Sequence, residues 1–238
     1  MDIESLGLRF RLHPQDNTCE RRLLFTPQFF DPEERALLLP RVEPGFVFID
    51  IGANAGAYAL LVAARSGPTG RTLAIEANPV MFARLQENAS RNASLVIDMI
   101  QCAVTDRTAP IMLHRHPDNL GGSTIKPNSA TDQDMAVTVM GHPLADILND
   151  CHIERVDAMK LDIEGAEDIV LNAFFLQASE QLWPKLILLE MSPHLWSIDV
   201  KKILLDKGYQ VLRVMGGNTA FERRETCGAD CFTSTVEQ

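Results

Sequence analysis

No stretch of this chain approaches the roughly 20 consecutive apolar residues that a membrane-spanning helix needs. The amino end, MDIESLGLRFRLHPQD, also lacks the basic-then-apolar order of a secretory signal, so the expected compartment is the cytoplasm. Basic runs are missing as well. The longest are the pairs Arg21-Arg22, Lys201-Lys202 and Arg223-Arg224, in a chain whose formal charge is -10. Such a surface repels a phosphate backbone, so neither nucleic acid nor membrane is an expected partner. Five cysteines, Cys19, Cys102, Cys151, Cys227 and Cys231, are an odd number in a chain large enough to fold without crosslinks, and they read as reduced thiols. Cys227 and Cys231 form a lone C-x-x-x-C with no second pair, a poor basis for a zinc site. Internal repeats and low-complexity tracts are absent too. The 238 residues, 46% of them hydrophobic, suffice for one domain with both faces of a sheet covered. The oligomeric state is left open, a homo-oligomer included.

What is present falls into two parts. Residues 1–45 read as an N-terminal extension of strands plus a helix packed on the core: LRFRLH alternates, and FDPEERALLLPRV reads as about two helical turns that Asp31 caps, with Pro32 in the first position. Pro44-Gly45 breaks the chain. Residues 46–238 then alternate short apolar runs with amphipathic helices, the pattern of an α/β domain with a parallel sheet. The runs lie near 46–51, 71–77, 95–104, 156–163, 185–191 and 209–215, and the helices near 55–66, 79–92, 165–177 and 197–207. In the second helix, Val80, Met81, Ala83, Leu85 and Ala89 supply apolar positions, and Arg84, Glu87 and Asn88 polar ones. Residues 105–145 depart from this rhythm with a segment rich in Gly, Pro, Ser, Thr and Asn, and an insertion of that length is usually functional or disordered.

In an open parallel sheet a small ligand binds beyond the carboxyl ends of the strands, where the first strand turns into the first helix. That turn is FIDIGANAG, containing Asp50, Gly52, Ala53, Asn54 and Gly56. The two glycines let backbone approach a ligand, and the amides of the next helix point into the same space. A dinucleotide fingerprint from Gly52 would need glycines where Asn54 and Ala57 stand, and Asp50 at the strand end repels a phosphate but favours a cation. S-adenosylmethionine carries a sulfonium and an ammonium. Glu76 closes the second run, where a carboxylate accepts ribose hydroxyls, with Ala77 beside it; Cys102 and Ala103 close the third, where an adenine would lie.

In PGFVFIDIGANAGAYALL, IEANP, GGST, VDAMKLDIEGAEDIVLNAF and LILLEMSPH the chain resembles the FkbM-type methyltransferases, over most of residues 44–215. The pairing of D-I-G-A-N-x-G with K-x-D-x-E-G-x-E carries the resemblance. It implies a Rossmann-like class I methyltransferase fold: a mostly parallel seven-stranded sheet in the order 3-2-1-4-5-7-6 with helices on both faces. It also implies S-adenosylmethionine as cofactor and O-methylation of a hydroxyl on a small-molecule, sugar or natural-product acceptor. Ala77 stands where a proline is commoner in the family, and Ala145 where an aspartate is.

The stretch MKLDIEGAEDIV places Asp162, Glu164 and Glu167 where a buried strand ends. Either Asp162 caps the next helix and the others serve its dipole, or the acids face a ligand. The second account also gives Lys160, a charge inside an apolar strand, a reason to be there. On the family order the fourth strand ends beside the first, so Asp162 faces the methyl donor as base or acceptor-positioning group, with Glu164 beside it and Glu167 pairing with Lys160 or bracing the others. Glu190 ends the fifth run and His194 follows at the same rim, a further proton carrier. A divalent metal held by Asp162, Glu190 and His194 is compatible with these residue types but is not the favoured reading, and the spacing alone does not decide it. In the insertion, His114 and His116 share one side if extended, with Asp118 following, and GGST (121–124) reads as a flexible lid. The rival readings are N-methylation, an NAD-dependent oxidoreductase, and a non-catalytic domain that binds S-adenosylmethionine.

Overall fold

The computed structural model describes residues 1–116, 118–126 and 136–224, so Cys227 and Cys231 lie outside the described residues; Cys19, Cys102 and Cys151 are free thiols. The chain opens with a hairpin, β1 (Asp2–Ser5) and β2 (Leu8–Arg11), then α1 (Thr18–Phe25) and α2 (Pro32–Leu38). Next come β3 (Val47–Ile51), α3 (Ala57–Ser66), β4 (Arg71–Glu76), α4 (Pro79–Arg91) and β5 (Ile97–Gln101). A side excursion follows: β6 (Ala103–Thr105), β7 (Ala109–His116), β8 (Asn119–Thr124), β9 (Ala136–Pro143) and α5 (Leu144–Asp150). The chain returns through β10 (Ala158–Leu161), α6 (Glu167–Gln177), β11 (Leu186–Glu190), α7 (Val200–Asp206), β12 (Tyr209–Met215) and β13 (Asn218–Arg223). No described helix is long and apolar enough to cross a membrane.

The main sheet runs β12-β13-β11-β10-β3-β4-β5. Numbered along the chain within this sheet alone and read from the β5 edge, that is 3-2-1-4-5-7-6. The sheet is mixed. β5, β4, β3, β10 and β11 pair in parallel, and β13 lies antiparallel between β11 and β12. β13 escapes the run-by-run reading because only Thr219, Ala220 and Phe221 of NTAFER are buried, too short an apolar signal to stand out. Every residue of β3 is buried, because a central parallel strand has helices over both faces.

Two apolar layers hold the sheet. On one face α6 brings Val170, Leu171 and Phe174, and α7 brings Val200 and Leu204. On the other face α3 is apolar almost all round, as a helix must be when it is covered on two sides. The outer cover is the N-terminal segment, whose Phe10, Leu12, Leu23, Phe30 and Leu38 pack in the same cluster as Tyr58, Leu60 and Leu61.

Three local expectations need correction. The run 95–104 is not one strand: Cys102 is the joint at which β5 ends on the main sheet and β6 leaves to pair with β9. Residues 105–145 build, with their described part, a second sheet β6-β9-β7-β8, because its alternating side chains need only one buried face. Asp31 sits at the start of α2 but does not cap it. Its backbone is left-handed (φ 39°) and its side chain turns instead to Arg22 (3.0 Å) and the Tyr58 hydroxyl (3.2 Å).

Candidate functional site

The turn after β3 is built around contacts that a larger residue would forbid. Gly52 has φ +80°, and a Cβ there would lie 1.9 Å from the carbonyl oxygen of Asp162, so only glycine lets the ends of β3 and β10 touch. The amides of Gly52 and Ala53 both donate to the Ile75 carbonyl, at 2.9 and 3.0 Å. Asn54 is left-handed without being glycine (φ 55°), and its own Oδ1 accepts from the Ala55 amide at 2.8 Å. Its backbone amide donates to Glu76 Oε2 at 2.8 Å, while Asn78 donates to Oε1 at 2.8 Å. Glu76 is therefore aimed by two amides, each leaving a lone pair on its oxygen for another donor. Burial pushes its pKa up to about 7, against the pull of those amides.

Asp50 is 1% exposed, and neither of its carboxylate oxygens has a hydrogen-bond partner. Burial raises its pKa to about 6, with the charge of Lys160 opposing and that of Asp162 adding. An unpartnered buried carboxylate beside a cleft is costly unless something donates to it.

At the end of β10, Lys160 Nζ donates to Asp162 Oδ2 at 2.6 Å and lies 5.0 Å from the centre of the Tyr58 ring. Burial opposes its charge, but Asp162 and Asp50 outweigh burial and raise its pKa. Burial likewise opposes the charge on Asp162, and Lys160 reverses the balance and holds that carboxyl below its usual range. Asp162 is not the cap of α6: that helix begins at Glu167, and Ala166 occupies the cap position. Glu167 braces the turn, accepting from the amides of Ile163 and Gly165 (3.1 Å each) and from Trp196 Nε1 (2.9 Å), and does not pair with Lys160. The acids thus divide, Glu167 starting the helix while Asp162 and Glu164 face a cleft.

Glu164 is left-handed (φ 57°) and half-buried, and burial, then Asp162 and Glu167, push its pKa up to about 7. Glu190, at the end of β11, is pushed up by burial and then by Asp162 and Glu164. One oxygen from each of Asp162, Glu164 and Glu190 lies within 4.8 Å of the other two. Three oxygens so placed could hold a divalent cation. His194 is exposed in the loop after β11 and lines neither cleft described below, so the structure leaves it apart from these acids.

Two clefts meet over the sheet at Gly52, Gly121 and Asp162. The first, with the solvent at its mouth, encloses about 510 Å³ and is walled by Ile75, Glu76, Ala77, Cys102 and Ala103 and by Leu113 of the second sheet. The second, about 910 Å³, is walled by Asp50, Lys160, Glu164 and Glu190 below and roofed by Arg22 and Asp31 of the N-terminal segment. GGST is not a lid. It is part of β8, in which Ser123 accepts from the Asn78 side chain (2.9 Å) and Thr124 Oγ1 donates to the Glu164 carbonyl (2.8 Å). An irregularity between His114 and His116 breaks the alternation that would set both on one side, and His116 Nδ1 accepts from the Asp118 amide.

Sequence reasoning missed Asn17, Arg22, Asp31, Tyr58 and Asn78. Asn17 carries a local signal, the N-x-x-E order with Glu20 that starts α1. Nothing local tells that α1 roofs the site.

A family model for the methyltransferase FkbM domain matches residues 50–211. Methyltransferase 1 of Beauveria bassiana (strain ARSEF 2860) is 28% identical over 142 residues, 52% of this chain and 56% of that protein, so the match spans little more than half its length. Methyltransferase sdnD of Sordaria araneosa is 26% identical over 69% of this chain and 74% of its own. The 31-O-demethyl-FK506 methyltransferase FkbM of Streptomyces tacrolimicus is 27% identical over 71% and 73%. Among solved structures, the METTL16 methyltransferase domain shares the fold, with TM-score 0.51 and 16% identity over 90% of this chain and 72% of that one. With the glycine turn after β3, Glu76 at the end of β4 and the acids that follow β10 all inside the matched span, the chain belongs to the FkbM family of S-adenosylmethionine-dependent methyltransferases.

Proposed function

We propose that this chain transfers the methyl group of S-adenosylmethionine to a hydroxyl oxygen of a small polar acceptor. The observation that carries the reading is the meeting of the two clefts at Asp162, one walled mostly by apolar side chains with Glu76 among them and the other rich in acids. The first suits an adenosine, with Glu76 accepting from the ribose. The second suits the ammonium near Asp50 and the sulfonium near Asp162, whose charge Lys160 maintains at neutral pH. The acceptor enters from the side of Arg22 and Asp31. The name of the Streptomyces relative speaks of an O-methylation, which supports oxygen over nitrogen as the acceptor atom.

The chemistry asks little of the protein beyond alignment. As the C–O bond forms the C–S bond breaks, sulfur keeps the electron pair, and the hydroxyl proton must go to a base. Asp162, held ionised by its lysine, is a weak proton acceptor and serves better to orient the hydroxyl and face the sulfonium. Glu164, with its pKa near 7, suits proton removal at neutral pH. Glu190 lies beside Asp162 and Glu164, and burial and those two acids push its pKa up.

Calorimetry with S-adenosylmethionine and transfer of labelled methyl to hydroxyl and amine acceptor pools test this reading. Glu164→Gln should leave cofactor binding near wild type and slow turnover by roughly 100-fold or more, the usual contribution of a general base. Full turnover by that variant would remove Glu164 from the mechanism. Binding of NAD in place of S-adenosylmethionine would remove the cofactor assignment itself, and methyl transfer to amines alone would move the acceptor from oxygen to nitrogen.

A further inference from the structure

Asn17 lies far before the family-matched span, yet its side chain is completely buried against the cofactor turn. Its Oδ1 accepts from the Glu20 amide at 2.9 Å and so caps α1. Its Nδ2 donates to Asn54 Oδ1 at 2.8 Å, the same oxygen that accepts from Ala55. The path continues inward, since the Asn54 amide holds Glu76 Oε2.

The neighbours of Asn17 tie it to the other walls of the site. The Leu120 amide donates to the Asp16 carbonyl (2.8 Å), and the Thr18 amide to Asn119 Oδ1 (3.0 Å), which fixes α1 to β8. Arg84 of α4 makes a two-pronged bond to Asp16 (2.9 and 2.8 Å) and a third to Glu20 (2.6 Å). Gly121 leaves no room between β8 and this pair: a Cβ there would lie 2.4 Å from Asn54 Nδ2 and 3.2 Å from Asn17 Nδ2.

A left-handed, non-glycine residue at the centre of a ligand-binding turn holds its conformation only if its surroundings fix it. Asn17 supplies the one side-chain donor to Asn54 among the described residues. We propose that Asn17 is a positioning residue of the cofactor site, acting through Asn54 to hold the Glu76 carboxylate where the ribose hydroxyls arrive. The N-terminal segment is then a working wall of the cofactor site as well as the roof of the acceptor cleft.

The inference rests on the S-adenosylmethionine reading and is tested apart from it. Asn17→Ser keeps an oxygen to cap α1, but its hydroxyl is one atom too short to donate to Asn54 Oδ1. The expected result is a melting temperature lowered by only about 2–4 °C, the scale of one buried hydrogen bond in a domain of this size, a cofactor Kd and KM raised about tenfold as Glu76 loses its alignment, and kcat little changed. Asn54→Gly supplies the second variant, because glycine adopts the turn without the acceptor oxygen. If Asn17 acts through Asn54, adding Asn17→Ser to Asn54→Gly should cost no further affinity. Wild-type affinity in Asn17→Ser, or fully additive losses in the double variant, would overturn the proposal alone. A wild-type chain that does not bind S-adenosylmethionine would overturn this proposal together with the reading beneath it.

Discussion

At the scale of single residues, Gly52 is the position with the least freedom. Its φ of +80° and the 1.9 Å approach of a notional Cβ to Asp162 O mean that any side chain must part β3 from β10 or distort the turn. Gly52→Ala should therefore lose about 2 kcal/mol or more, the left-handed backbone and the clash adding together. Urea denaturation would show this, and a loss below about 0.5 kcal/mol would mean that the turn relaxes freely. Other residues were legible in part. Lys160 stood out as a charge in an apolar run, and the structure answers with Asp162 at 2.6 Å. Asp162 and Glu167 look alike on the page. Only the hydrogen bonds of Glu167 to Ile163, Gly165 and Trp196 separate a helix brace from a group that faces the cleft.

At the scale of elements, α4 shows how a polar residue joins a buried face. Its inward side is Met81, Arg84, Leu85 and Asn88, spaced i, i+3, i+4, i+7. Hydrophobicity alone chooses Val80 and Ala83 over Arg84 and Asn88, yet the structure leaves Val80 and Ala83 exposed. Arg84 is admitted because Glu20, fully buried in α1, and Asp16 meet it, and Asn88 because the Ala55 carbonyl and the Arg11 amide do. Removing one partner of a buried pair leaves the other charge without compensation. Arg84→Ala should cost about 3–5 kcal/mol and expose α1 to proteolysis before the rest of the chain unfolds. Limited proteolysis with denaturant melts measures both, and an α1 still protected in the variant would show that apolar packing alone holds the N-terminal segment.

At the scale of the whole molecule, the rim of the sheet stores unfavourable charge that a cationic ligand would relieve. Burial raises Glu76 from its ordinary 4.5 to about 7, with Asp50 and Asp162 adding to it and the Asn78 and Asn54 amides opposing, and raises Asp50 from 3.8 to about 6. Between the ordinary and the raised values the folded chain keeps protons that the unfolded chain has released, so stability falls as pH rises through that window. If Glu76 accepts from the ribose as proposed, its ionised form accepts better, so cofactor binding should tighten as pH rises through about 7. Thermal melts with and without S-adenosylmethionine should show the free protein losing stability across this range while the gain from cofactor grows. Glu76→Gln should remove its share of both trends, and a free protein that gains stability over the same pH range would contradict the assignment.

The order of apolar runs, the glycines at the first turn and the acids at four strand ends are properties of short segments, and the sequence by itself determined them. They sufficed for the α/β class and the helices over both faces, and they marked the strand ends around which the two clefts meet. The tertiary structure alone decided which acids share a cleft, that β6, β7, β8 and β9 form a second sheet, and that Asn17 reaches Asn54. The physical reason is range. Side-chain periodicity repeats within a few residues and is written along the chain. A hydrogen bond between residues 37 apart, or an arginine buried on a glutamate 64 residues away, exists only once packing has brought the two segments together.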